Sequence, residues 1–482
     1  MKQKIQGRIS SFILTAFAMP SFVSAIMIGS AAGVLPGIYA KYFGLDMAVI
    51  GTILLATKII DGFTDPLIGY LSDHTKTRFG ARKPWVVVGY ALSVPAVYML
   101  FVPMQNNPSP LYFLFWYSAA YLAWTMAEIP YAGWQTELSQ DYNERTRIAG
   151  FRNAAAHTGT LCFALIPLIP IFATTQITPQ VLKVTAVSVA VLLPIFVIFM
   201  ITFVPQGPRL SVKESFSIPE LLKSVWQNKP FGIMLASFSL SGIGFGMHGA
   251  LSWIYLDTYL LVGDKYIYCI IGASCVGLAC IPLWLKIMNR FGKHRPFAMA
   301  CIIPAMIIPL IVLIKPGPLS WIPWMVLFLC KNAMFTSFGI APMAMLADTV
   351  DYDLLKTGVN RAGQYSSFTT MLQAMNIGIG NGIGFLILDI FEYDATITQH
   401  SASSVFGLQM AICWVPGLLF LFAGIIIWFF PLNEHRQIII KKRIERRSIR
   451  KETRMAASAD LEGGNDLISS QGPNTAQIEA EI

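Results

Sequence analysis

Long apolar runs separated by short polar breaks fill most of this chain. Twelve of them, roughly 10–40, 47–72, 84–104, 111–137, 152–175, 181–204, 230–262, 266–288, 295–315, 320–347, 361–390 and 403–431, reach the length a helix needs to cross a bilayer, about 20 residues. The pattern predicts an all-α polytopic membrane protein with twelve transmembrane helices. Composition agrees: 55% of the 482 residues are hydrophobic and 13% are charged, against about 25% charged in soluble domains. The net charge of +9 does not point to nucleic acid, because the basic residues sit at the ends of runs. With the N-terminus inside, segments expected on the cytoplasmic side hold 29 of the 35 Lys and Arg, which sets the orientation; with an even span count both termini are expected in the cytoplasm, and the chain is expected in a plasma (bacterial inner) membrane. The start of the chain resembles a signal sequence but stays apolar past Ala40, which reads as a retained first span. Seven cysteines lie inside apolar runs without a CxxC, which indicates neither a zinc site nor a disulfide framework.

The chain also repeats itself. Arg78-Phe-Gly80-Ala-Arg82-Lys-Pro84 returns as Arg290-Phe-Gly292-Lys-His-Arg295-Pro296, 212 residues later. Asp141-Tyr142 with the later Arg147-Ile-Ala-Gly is echoed by Asp351-Tyr352 with the later Arg361-Ala-Gly, offset by 210. The echoes predict two pseudo-symmetric six-helix halves, residues 1–204 and 230–431. A Pro-punctuated cytoplasmic linker, 205–229, joins them. A tail from 432 to 482 starts basic, suited to an anionic leaflet or to solvent, and ends polar and disordered. Two parallel halves of this kind describe the major facilitator fold, with substrate held between them.

A few charged residues interrupt the spans. Lys58, Asp61 and Asp65 fall at i, i+3 and i+7 of span 2 and share one helix face. Charges at that depth cost about 2.5–3.5 kcal/mol each on insertion scales and are retained where they serve an ion, a cavity or each other. Carboxylates one turn apart suit a small cation or a shared proton, and Thr64 adds a hydroxyl. Lys58 offers an internal counter-charge, so a closed ion-pair network without an exchangeable ion is the alternative. Span 4 carries Thr125 and Glu128, then Tyr131 and Trp134, a carboxylate among aromatics that suits a sugar. Arg152 opens span 5 as either an inward-reaching partner or one more inside charge. The second half offers Lys331, Gln373 and Asn376 for solute or for inter-helix bonding. Gly244-x-Gly246-x-x-Gly249 lies inside a span with no strand before it and does not read as a nucleotide loop.

Asp61-Gly-Phe-Thr-Asp65-Pro-Leu-Ile-Gly69, with Asp73, Arg78, Gly80 and Pro84, resembles the signature of the glycoside–pentoside–hexuronide:cation symporters. Ala347-Asp348-Thr-Val-Asp351-Tyr352, with Lys356-Thr-Gly and Arg361-Ala-Gly, is similar to that family's second signature. The resemblance spans about residues 10–431. It implies a cation site on Asp61, Thr64, Asp65 and Thr125 and sugar contacts from Lys58, Glu128 and Arg152. It also implies gating loops around Asp73, Arg78, Gly80, Arg82, Arg290, Gly292, Arg295, Asp348, Asp351 and Arg361. The melibiose carriers of that family have an acid in span 1, whereas Ala18 to Ala40 has none here. Their span 4 Asp is Glu128, the Trp four residues on is Ala132, and their span 11 Lys has only Gln373, Ala374 and Asn376 nearby. The Asn linked to Na+ selectivity is Thr64.

The expectation is therefore a cation-coupled symporter, with H+ or Na+, for a sugar, glycoside or related small polar solute. The alternatives are a symporter of an amphiphile such as a lysophospholipid, or an uncoupled facilitator. An enzyme is not expected, since the six histidines are scattered, nor is a cofactor beyond the coupling cation. The partners expected are the solute, the cation and the bilayer, with no nucleic acid, and the chain acts as a monomer.

Overall fold

The computed structural model describes residues 9–75, 77–104, 107–139, 142–205, 228–358, 362–432, 436–440, 442–444 and 446. Every regular element among them is helical. In chain order these are α1 (Ser11–Gly33), α2 (Leu35–Phe43), α3 (Met47–His74), α4 (Lys83–Phe101), α5 (Pro110–Leu138), α6 (Tyr142–Leu165) and α7 (Pro179–Phe203). The second half continues with α8 (Lys229–Ile254), α9 (Tyr266–Phe291), α10 (His294–Ile307), α11 (Trp321–Phe335), α12 (Ala341–Thr357), α13 (Ala362–Ile390), α14 (Ala402–Gln409) and α15 (Val415–Trp428). Among the described residues nine helical stretches are long and apolar enough to cross a membrane. The segments expected as spans 1, 4 and 5 lie on α1–α2, α5 and α6. Tyr, Trp and Ser in α5, and the charged start of α6, lower their mean hydropathy without shortening them.

Local signals set the boundaries. Asp46 Oδ1 accepts from the amides of Ala48 and Val49 at 2.8 and 3.3 Å and starts α3. Ser109 caps α5 in the same way through the amide of Tyr112, at 3.2 Å. Span 1, expected as one helix, breaks between Gly33 and Leu35 and restarts with Pro36 in its first turn. Span 10 is interrupted by a tight turn, Thr336–Gly339, and α12 then runs to Thr357, ten residues past the expected end. Asp348 and Asp351 thus sit on a helix and not in a loop.

The repeat is visible in three dimensions. Gly80 and Gly292 both have positive φ, 93° and 79°, where a Cβ would be strained. The Arg78 guanidinium lies over Phe79 and that of Arg290 over Phe291. Arg82 Nε meets Glu137 Oε1 at 3.1 Å, and Lys293 Nζ meets Asp348 Oδ1 at 2.7 Å. Each half thus ties its basic loop to the end of its own fourth helix. Arg295 is exposed and the side chain of Asp351 accepts from Gln437 at 2.9 Å. The side chain of Asp73, Asp141, Arg361, almost all of the 205–229 linker, and the tail beyond 446 lie outside the described residues.

The halves meet at the end opposite those basic loops. α3 and α13 run antiparallel, with Gly51 against the Gly382 carbonyl and Gly62 against Met375. Lys41 Nζ reaches Asp257 Oδ2 at 2.5 Å across the divide. Thr175 Oγ1 donates to the Asp264 carbonyl at 2.9 Å.

Candidate functional site

Two constellations share α5. The first is the acidic pair of α3. Asp61 is buried and accepts from Lys58 Nζ at 2.7 Å. That ammonium also lies 4.0 Å from the centre of the Tyr121 ring on α5. Its stem passes so close to Gly378 of α13 that no larger residue fits there. Thr64 Oγ1 donates weakly to the Asp61 carbonyl, at 3.5 Å, and does not reach the carboxylates. Asp65 differs from Asp61: its Oδ1 is buried with no hydrogen-bond partner among the described residues. Thr125 faces this carboxylate from α5. An unpartnered buried carboxylate oxygen is costly, and a small cation or a proton is the species that removes that cost.

The second constellation is a cavity of about 500 Å3 lined by α1, α5 and α6. Arg152 organises it. Its Nε donates to Ser21 Oγ at 3.2 Å, Nη1 donates to Gln135 Oε1 at 2.8 Å, and Nη2 pairs with Glu128 Oε1. The guanidinium stacks 4.0 Å above the Tyr131 ring. Glu128 Oε2 accepts from the Tyr90 hydroxyl at 3.3 Å. Trp124 Nε1 donates to Ser24 Oγ at 2.9 Å and holds the indole at the cavity wall. Asn153 and Thr160 add polar groups from α6. Fixed donors and acceptors beside one aromatic face match the chemistry of a polyhydroxylated ring.

Of the residues expected to contact solute, Glu128 and Arg152 line this cavity together. Tyr131 lies beneath Arg152 and is fully buried, its hydroxyl donating to the Phe17 carbonyl. Trp134 points the other way: Nε1 donates to the Pro205 carbonyl at 3.2 Å and its ring faces Lys83. Lys58 belongs to the acidic pair. Asn376 donates to Ser239 Oγ at 3.2 Å between α13 and α8, with Gln373 one turn earlier on α13. Lys331 is buried on α11 among Phe328 and Phe335. Sequence reasoning missed Gln135, Tyr90, Tyr121, Trp124, Ser21 and Ser24. Gln135 follows Glu128 at i+7, and Ser21 and Ser24 are spaced i, i+3 in an apolar helix, so these three carried a readable signal. Among the described residues no three His, Cys, Asp or Glu side chains group as metal ligands.

Known proteins point the same way. Residues 13–434 match the family described as MFS/sugar transport protein. The chain is similar to the isoprimeverose transporter of Lactiplantibacillus pentosus, 24% identical with 82% of this chain and 83% of the relative covered. It is also similar to sodium-dependent lysophosphatidylcholine symporter 1 of Xenopus tropicalis, 23% identical with 88% and 89% covered. In fold it resembles the crystal structure of nucleoside transporter NupG, with a TM-score of 0.63 at 14% identity, covering 86% of this chain and 99% of that one. A family match over nearly all of the helical region, on a repeated all-helical membrane architecture, places this chain in the MFS/sugar transport protein family, the glycoside–pentoside–hexuronide:cation symporter branch of the major facilitator fold.

Proposed function

We propose that this chain is a secondary active transporter that carries a carbohydrate or glycoside together with a cation, H+ or Na+. One observation carries the reading. Thr125 and Glu128 sit one turn apart on α5, about 4.5 Å along its axis, the first facing Asp65 and the second lining the cavity. A cation at Asp65 and a solute at Glu128 therefore act on the same rigid segment. The cation neutralises the Asp65 carboxylate at the Oδ1 that has no partner among the described residues, and the solute replaces the hydrogen bonds that Arg152 makes to Gln135 and Ser21. Each step lowers the electrostatic penalty of moving the α3–α5 wall past the other half. The sugar-related relative supports the solute class. The reading places both termini in the cytoplasm of a cell whose inner membrane holds the chain as a monomer. It assigns no catalytic residue, and the roles of Asp61, Thr64, Asp65, Thr125, Glu128 and Arg152 are part of it.

The lysophospholipid-related relative favours a second reading, an amphiphile as solute. The cavity favours the first reading through Glu128, Gln135 and Arg152, whose fixed polar groups an acyl chain would leave unpaired, within a wall whose exposed surface is otherwise largely apolar. Thermal unfolding of the purified protein separates the two. Isoprimeverose at a hundred times its Kd is expected to stabilise by about 2.7 kcal/mol and to raise Tm. A rise with lysophosphatidylcholine and none with any sugar would reverse the assignment.

A further inference from the structure

Beyond α15 the chain folds back onto the protein. The last apolar stretch, Ala402–Trp428, ends on an exposed tryptophan, the residue type that membrane–water interfaces favour. Phe430 and Leu432 then bury themselves in the core of the C-terminal half. The Phe430 ring lies 6.1 Å from that of His294, at the start of α10 beside the basic loop. Residues 436–440 and 442–444 are helical again. Arg436 Nη1 donates to the Pro431 carbonyl at 2.9 Å, and Pro431 follows the end of α15 by at most about 11 Å of chain. The lipid headgroups form a layer about 5–8 Å deep on each side of the hydrocarbon. This final helical segment therefore begins at or beside the headgroup layer, on the side of the basic loops.

Its two faces differ. Gln437, Ile440 and Ile444 fall at i, i+3 and i+7 and turn toward the protein. Gln437 Nε2 donates to Asp351 Oδ2 of α12 at 2.9 Å. Ile440 is buried, and Ile444 packs on the same core as Val350, Tyr352 and Leu355 of α12. The outer face carries Ile438 and Ile439, 48% and 39% exposed. Lys442 and Arg443 follow one turn later, then Arg446, all three exposed. Over residues 436–454 the sequence holds nine Lys and Arg against two Glu. Water suits these cations but not the isoleucines. A membrane interface suits both, because a helix lying in it sinks its aliphatic side chains to the acyl boundary while its cations meet phosphates.

We propose that this segment is a docking surface for anionic phospholipid. Ile438 and Ile439 reach the acyl boundary, and Lys442, Arg443 and Arg446 meet the headgroup phosphates. The lipid is linked to α12 through Gln437 and Asp351 and through the packing of Ile440 and Ile444. Asp348, one turn before Asp351 on that helix, holds Lys293 at 2.7 Å. Bound lipid therefore steadies the basic loop of the C-terminal half. The surface is separate from the acidic pair and from the cavity.

The test needs neither solute nor coupling cation, so its outcome is independent of what the chain carries. Ile439→Cys, in a chain whose other cysteines are serine, is labelled with bimane. The purified protein is placed in nanodiscs of phosphatidylcholine alone or of phosphatidylcholine with phosphatidylglycerol. Quenching is read with a nitroxide-labelled phosphatidylcholine and with acrylamide in the water. Phosphatidylglycerol is expected to raise the lipid quenching and to lower the acrylamide quenching, and high salt to reverse both. Lys442→Gln, Arg443→Gln and Arg446→Gln together are expected to weaken the affinity for phosphatidylglycerol on the order of a hundredfold, from about fivefold per charge. Equal quenching in the two membranes would overturn the proposal, with acrylamide access marking a solvated face. A label hidden from both quenchers would overturn it too, because protein would then cover the face. So would a phosphatidylglycerol response that persists in the triple variant. If that variant does not fold, a wild-type response unchanged by high salt overturns it.

Discussion

Glu128 and Arg152 are held by each other before any solute arrives. Arg152 has four side-chain partners: Glu128, Gln135, Ser21 and the Tyr131 face. Removing one member of a fully buried ion pair costs about 3–5 kcal/mol, because the other charge is left uncompensated, whereas replacing both by apolar groups is often neutral. This pair is part-buried, so Glu128→Ala is expected to lower Tm by less than that range implies, and Glu128→Leu with Arg152→Met to recover much of the loss. Neither variant is expected to bind sugar. Sugar-dependent stabilisation of the double variant would show that the pair is structural only. Asp61 and Asp65 were legible because two carboxylates one turn apart in an apolar run stand out in any sequence. What the sequence could not show is their inequality, since the reach of Lys58 over Gly378 to Asp61 depends on how α3 packs against α13. The same limit applies to Lys331. Its presence in span 10 was plain, but the face it takes is set by helix rotation.

At the scale of elements, an ion pair latches the closed end of the molecule. Lys41 on α2 and Asp257 in the wide turn after α8 are 216 residues apart in sequence. No periodicity or motif joins them, so only the folded chain reveals the pair. Asp257 is almost fully buried, with Gly263 packed against its carboxylate. Lys41→Met is expected to loosen this end. A cysteine at Ser24, in a chain whose other cysteines are serine, should then react faster with an impermeant thiol reagent applied from that side; an unchanged rate would remove the latch role. His400, in the loop before α14, packs its ring on Tyr393 at 4.4 Å and lies 3.4 Å from the Thr258 carbonyl. Burial holds its imidazole below the ordinary histidine range, despite Thr258 and Asp394. The unfolded chain then binds more protons than the folded one just below about pH 6.5, so this contribution to stability is lost as pH falls. His400→Gln is expected to flatten the acid side of a Tm-against-pH curve, and an unaltered curve would contradict the assignment. The repeat was the most legible element-scale feature. The extension of α12 was not, because Asp348, Asp351 and Lys356 read as loop residues until Lys293 and Gln437 are seen to satisfy two of them.

For the whole molecule, the two halves touch at one end and the cavity runs toward Gln135 and Ala149 at the other. Transport requires that this asymmetry invert, and the cost of inversion depends on which buried charges are paired. Lys58 neutralises Asp61, and Arg152 neutralises Glu128. Asp65, whose Oδ1 has no partner among the described residues, is the carboxylate that the proposed reading assigns to a mobile cation. The most direct measurement is accumulation, in proteoliposomes under an inward proton or sodium gradient, of a radiolabelled sugar that stabilises the purified protein, for wild type and Asp65→Asn. The wild type is expected to concentrate the sugar, whereas Asp65→Asn exchanges it across the membrane without concentrating it. Undiminished accumulation by Asp65→Asn under the same gradient would contradict the account.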